Sequence, residues 1–132
     1  MSVTQTSQEG ATIFTVDTLV KYMGGDQKAL AVVAKIVRDA VAGASEPMAL
    51  ASVAMREGRH DQAARHFHGL RGSIGTLGTK RFVNAALALE VAMLENRSDE
   101  LPQLLLSVER EFALALEQAH AWLAANAVPA TH

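Results

Sequence analysis

His68 is the side chain in this sequence best set to react with another molecule, because of the glycines that succeed it. The segment runs Ala64-Arg65-His66-Phe67-His68-Gly69-Leu70-Arg71-Gly72-Ser73-Ile74-Gly75-Thr76-Leu77-Gly78. On a helix turning about 100° per residue, Gly72 and Gly75 fall within roughly 40° of His68. One face therefore carries an imidazole and then two turns of bare backbone. Each glycine inside a helix costs roughly 1 kcal/mol against alanine, so such a cluster needs a reason. Clearance around a histidine is one. Leu70, Ile74 and Leu77 still give the same helix a stripe to bury. Arg71, three residues on, projects from nearly the same side as His68. A solvent-facing histidine on a flattened helix face, with a cation beside it, suggests a reactive group presented to another protein.

The five histidines do not make a metal site by spacing. His66 and His68 diverge by about 160° on a helix. His60 lies two turns before His68 and has no acidic companion at i+4. His66 points toward Leu70 and Ser73 and reads as a half-buried histidine, while His60, His120 and His132 read as surface or tail residues. No metal and no cofactor is expected on this chain.

The elements that position His68 are set by punctuation and periodicity. A short helix is expected around Asp17–Met23, ended by Gly24-Gly25. Asp26 caps a helix to about Ala42. Ser45, with Pro47 in its first turn, starts another, which runs to Glu57 and stops at Gly58. The histidine helix spans about Arg59 to Leu77 and breaks at Gly78. Thr79 is placed to cap the next, where Phe82, Ala86, Leu89 and Met93 share a face. Asn96-Arg97-Ser98 reads as a helix boundary, and Ser98-Asp99-Glu100 opens a long final helix with Pro102 in its first turn. Nothing reads as a strand. The fold class expected is all-α, an up-and-down four-helix bundle with an additional short N-terminal helix. Residues 1–13 are expected to be a flexible segment, 14–126 the bundle and 127–132 a tail.

Composition agrees with one packed helical domain. The chain has 132 residues, 49% of them hydrophobic and only 5% aromatic. It has no cysteine, which excludes disulfides, thiolate metal sites and a thiol nucleophile. No apolar run reaches the roughly 18 residues of a membrane span, and Met1 to Ala11 lacks the form of a signal peptide. A cytoplasmic monomer without membrane contact is expected. Residues 56–81 hold six basic groups (Arg56, Arg59, Arg65, Arg71, Lys80, Arg81) against Glu57 and Asp61, a local +4 that leaves −6 elsewhere. From Glu90 onward seven acidic residues face two basic ones. The basic stretch favours an acidic or phosphorylated partner. It is too small, and lacks the interleaved aromatics, for a nucleic-acid surface.

The run His68-Gly69-Leu70-Arg71-Gly72-Ser73, then Leu77-Gly78-Thr79, then Leu89-Glu90, resembles the histidine phosphotransfer (HPt) domain of multistep phosphorelays. That family shows His-x-Leu-Lys-Gly-Ser, then Leu-Gly-Ala, then Leu-Glu. With Leu19 and Gly24-Gly25-Asp26 upstream, the likeness spans about residues 14–120. Three positions depart from the pattern: Arg71 stands for lysine, Phe67 for a small residue and Thr76 for asparagine.

The resemblance implies that His68 accepts a phosphoryl group from a receiver-domain aspartate and passes it to another. The receiver, free or part of a hybrid sensor histidine kinase, would supply the aspartate, Mg²⁺ and a lysine. The alternative is a helical interaction module that keeps the fold and binds receivers without transferring phosphate. An imidazole near its ordinary pKa of about 6.5 is mostly neutral at pH 7 and needs no activation. Arg71 is the expected stabiliser of phosphoryl charge, and Gly72 gives clearance for imidazole and phosphoryl group. Arg65, Gly69, Gly75 and Lys80 are the expected docking residues. Glu90 has three open readings: it accepts from the imidazole, it pairs with Arg71 or a loop amide, or it is solvated. The chain has no Walker-type loop and no ATP lid, so it is expected to carry phosphate and not to act as a kinase.

Overall fold

A computed structural model describes residues 11–126, all of whose regular structure is helical. Helix α1 (Asp17–Tyr22) is short. Four long helices come after it: α2 (Gln27–Arg56), α3 (His60–Gly75), α4 (Lys80–Leu94) and α5 (Leu101–Asn126). A single 3-10 turn, Ser98–Glu100, leads into α5. Packing runs α2 on α3, α3 on α4, α4 on α5, and α5 back on α2, closing an up-and-down bundle. Short links force each helix antiparallel to its predecessor. Among the described residues no helix is long and apolar enough to cross a membrane.

Each start has a local cause. Asp26 caps α2: its Oδ1 accepts from the Ala29 N–H at 2.9 Å. Asn96 takes the left-handed conformation (φ 56°) that turns the chain out of α4, as the boundary reading expects. The core centres on Phe67, Leu70, Leu77, Phe82, Leu89, Val33, Val37 and Val108, all at most 2% exposed. Phe82 and Phe112 meet with ring centroids 5.8 Å apart and planes tilted by 58°.

Three expectations fail locally. The break expected between Ala42 and Ser45 is absent, since α2 runs unbroken through Pro47. Val37, Val41, Ala44, Met48, Ala51 and Met55 are buried on both sides of Pro47 in one helical phase. Keeping that stripe against the core outweighs the one backbone bond that proline removes. Thr79 does not cap α4; its hydroxyl is buried and donates to the Ile74 carbonyl at 2.8 Å, closing the α3–α4 turn. Ser98 opens the 3-10 turn, and α5 itself begins at Leu101 with Pro102 second.

The segment before α1 is a strap across that same turn. Of the expected flexible stretch 1–13, residues 1–10 lie outside the described residues, and Thr12 is held firmly. Its carbonyl accepts from the Arg81 N–H at 2.9 Å, and its hydroxyl donates to the Gly78 carbonyl. The Thr15 N–H donates to the Leu77 carbonyl at 2.9 Å. Gly78 has φ +67°, and a Cβ there would run into the Thr15 backbone. Glycine is required at Gly78 on both counts. Phe14 then lies against Trp122, centroids 6.3 Å apart, tying the strap to the end of α5. The expected tail 127–132, with His132, lies outside the described residues.

Candidate functional site

Helix α3 buries Ala63, Phe67, Leu70 and Ile74, and this decides where the rest of it points. His68, Gly69 and Gly72 are exposed, Arg71 and Gly75 half-buried. Phe67, large where the resemblance expects a small residue, fills the core completely beneath the histidine (0% exposed). Its burial anchors the turn from which His68 projects. His66 is half-buried on the α2 side, along a shallow depression lined by Pro47, Arg65, Gly69, Leu70 and Ser73. Thr76 is exposed and donates to the Ser73 carbonyl at 3.1 Å.

Among the described residues nothing packs against the α-carbon face of Gly69 or Gly72. A Cβ built on Gly69 or Gly72 meets no heavy atom within 4 Å. On Gly75 it would only touch the Val83 Cγ2 at an ordinary 3.5 Å. Among the described residues nothing forbids alanine at these positions, though glycine lowers helix stability at each.

Arg71 and Glu90 lock together beside the histidine. The Arg71 Nε donates to Glu90 Oε2 at 2.7 Å, and Nη2 donates to Glu90 Oε1 at 3.0 Å. This two-point clasp joins α3 to α4, with side chains only 23% and 13% exposed. Hydrogen bonding to the carboxylate lifts the Arg71 pKa above its ordinary value, against the opposing effect of desolvation. Arg71 Nη2 also lies 3.2 Å from Nδ1 of His68. Of the three readings open for Glu90, the structure gives the pairing with Arg71. Glu90 thus reaches the imidazole only through the guanidinium.

The other candidates disperse. Arg65 sits one turn before His68 on α3 and is exposed. Lys80 is exposed at the start of α4, ten residues before Glu90, a distance of about 15 Å along the helix. It does not join the histidine cluster. The basic stretch is also largely answered by carboxylates brought from elsewhere in the chain. Arg56 pairs with Glu109, Arg71 with Glu90, Arg81 with Glu111, and Arg59 with its neighbour Glu57. Among the described residues only Arg65 and Lys80 of the six basic groups form no ion pair.

Leu87 was not anticipated. It is 45% exposed, one turn before Glu90 on α4. Leu50 is likewise 46% exposed, on α2 one turn after Pro47. Their sequence signal is weak, because an isolated exposed leucine is common. No group of three His, Asp or Glu side chains among the described residues is disposed to hold a metal ion.

An exposed histidine beside a cation, with open backbone at Gly69 and Gly72, suits a site completed by another macromolecule. The sequence model of the Hpt domain matches residues 35–122, well over half of the chain. No curated protein and no solved structure matches it. The helical architecture, the matched segment and the exposed histidine within it agree: the chain belongs to the Hpt domain family, the phosphotransfer modules of two-component signalling that interact with response-regulator receiver domains.

Proposed function

We propose that this chain is a relay intermediate that takes a phosphoryl group from one receiver aspartate onto His68 and delivers it to another. The observation that carries the reading is the exposed His68 ring beside the Arg71 guanidinium, with open backbone at Gly69 and Gly72. In transfer, an imidazole nitrogen lone pair attacks phosphorus in line while the bond to the aspartate oxygen breaks and the carboxylate leaves. Charge spread over three phosphoryl oxygens needs donors already in place. Arg71 has five N–H groups; Glu90 engages Nε–H and one hydrogen of Nη2, and the others can turn to phosphoryl oxygens. Gly72 leaves room for the phosphoryl group and the partner backbone.

The docking face is built on Gly69, Arg65 and Gly75, with Leu50 and Leu87 as its apolar flanks. Lys80 contributes at most to the outer rim. Mg²⁺ belongs on the receiver, and the chain carries no cofactor of its own. It acts as a cytoplasmic monomer and holds no kinase activity, since it has neither a Walker-type loop nor an ATP lid.

The test is a three-component transfer assay. A ³²P-labelled receiver should lose label to this chain, and the isolated labelled chain should pass it to a second, unlabelled receiver. Binding of receivers without labelling would make this a non-transferring interaction module.

A further inference from the structure

The hydrogen bond between Arg71 and His68 fixes which ring nitrogen of the resting histidine holds a proton. A guanidinium has only N–H donors, so the Nδ1 atom that Nη2 meets at 3.2 Å must be the acceptor. In the neutral ring, an unprotonated Nδ1 leaves the proton on Nε2. Nε2 is the nitrogen farthest from the backbone and the one a docked partner reaches. Its lone pair is then absent in the resting form. We propose that Arg71, positioned by Glu90, is a cap on Nδ1 that keeps Nε2 of His68 protonated and unreactive until the cap is lifted.

The geometry of the clasp makes Glu90 the positioning residue. It takes Nε–H and one hydrogen of Nη2 side by side, so the second hydrogen of Nη2 is aimed away from the carboxylate. His68 stands there, one turn earlier on α3. At 23% and 13% exposure the two clasp partners are mostly buried, which limits the access of water to the Nε edge of the guanidinium. A solvated arginine would share its hydrogens among many partners and exert no such preference.

Lifting the cap rearranges protons without net loss. Nε2 gives its proton to water, Nδ1 takes one from water, and the ring remains neutral. The Nε2 lone pair then forms the N–P bond as the P–O bond to aspartate breaks and the carboxylate departs with the electron pair. The product ring is cationic with a proton on Nδ1. Loss of that proton to water restores an acceptor for Arg71. A docked phosphoryl group draws the cap away, because its oxygens are stronger acceptors for the same guanidinium than a neutral ring nitrogen.

This inference rests on the relay reading for its consequence, yet its test uses no phosphodonor. Long-range ¹H–¹⁵N NMR at about pH 8.5, two units above the ordinary imidazole pKa, reads the tautomer of neutral His68 directly. In the wild type, Nδ1 should show an acceptor-type shift and Nε2 a protonated-type shift. Arg71→Met, which removes the donor, should raise the fraction with Nδ1–H by roughly tenfold, the worth of one charge-assisted hydrogen bond. Glu90→Gln should move the ratio part of the way, while the far-ultraviolet circular dichroism of both variants stays that of the wild type. Neutral wild-type His68 protonated on Nδ1, or a ratio unmoved in either variant, overturns the cap. A chain that shows the cap but takes no label from any receiver overturns the relay reading alone.

Discussion

Replacing Gly72 should make the protein more stable and less active at once. Gly72 opens the last turn of α3, exposed, and a Cβ there meets no heavy atom within 4 Å. Introducing a side chain therefore has no steric cost among the described residues and removes the entropic cost of glycine in a helix. Gly72→Ala should gain about 0.5–1 kcal/mol and Gly72→Gln somewhat less. For a bundle of this size that is a rise in Tm of roughly 2–5 °C. The same side chain lies about 40° from His68 and one turn beyond it, where phosphoryl group and receiver backbone must come close. Transfer should fall with size, mildly for alanine and at least tenfold for glutamine, equivalent to about 1.4 kcal/mol of transition-state free energy. Thermal denaturation and single-turnover transfer from a phosphorylated receiver, run on the same three proteins, measure both arms. Equal transfer rates for wild type and Gly72→Gln would show that the glycine gap is incidental. A loss of stability in Gly72→Ala would show that the open space beside it is filled.

Three further outcomes are expected from the packing. Arg81→Met leaves Glu111, only 9% exposed and with Oε1 unpartnered, without its cation, and should cost about 2–3 kcal/mol in urea denaturation. Adding Glu111→Leu should recover most of that loss, and no recovery would mean the pair is not the cause. Gly78→Ala must adopt a left-handed φ of +67° against the Thr15 backbone, so it should cost more than about 2 kcal/mol and expose the strap to proteolysis. Glu109 has its pKa lowered chiefly by the hydrogen bond from Arg56. Its contribution is thus complete above the unfolded carboxylate value of about 4.3 and is lost as pH falls through the lower folded value. The acid limb of the stability profile should be shallower in Glu109→Gln, and an unchanged limb would remove the pair from the account.

The parts of the fold legible in the sequence are those set by local periodicity and punctuation. The Asp26 cap, the Asn96 turn and the buried stripe of α3 depend on residues within a few positions of one another. Pro47 shows where that reading stops. Ser45 with Pro47 two residues on is the local form of a helix start, and only the in-phase burial of Val41, Ala44 and Met48 against the core shows that α2 continues. Thr79 has the right type for a cap but faces inward, where the Ile74 carbonyl is nearer. The strap on Gly78 has no sequence signal, since Thr12 and Thr15 are ordinary residues until the turn is beside them.

The site divides the same way. His68, Arg71, Gly69 and Gly72 share one helix, so their juxtaposition is set by spacing alone. The clasp from Glu90 arrives from α4 and the exposed leucines from α2 and α4, so tertiary packing decides them. Charge misleads most when read along the chain. The basic excess of residues 56–81 is largely neutralised by Glu90, Glu109 and Glu111, which folding brings back from the acidic half. Docking should accordingly depend less on salt than the local count of +4 suggests, with Arg65 and Arg71 its main ionic contributors.

The central claim is that His68 is the sole phosphoacceptor. It is tested by labelling the chain from a phosphorylated receiver and mapping the label. Wild type should carry one base-stable, acid-labile phosphoryl group, on His68. His68→Gln should carry none while its circular dichroism and Tm stay those of the wild type. Label that persists in His68→Gln, or that maps to His66, would contradict the account.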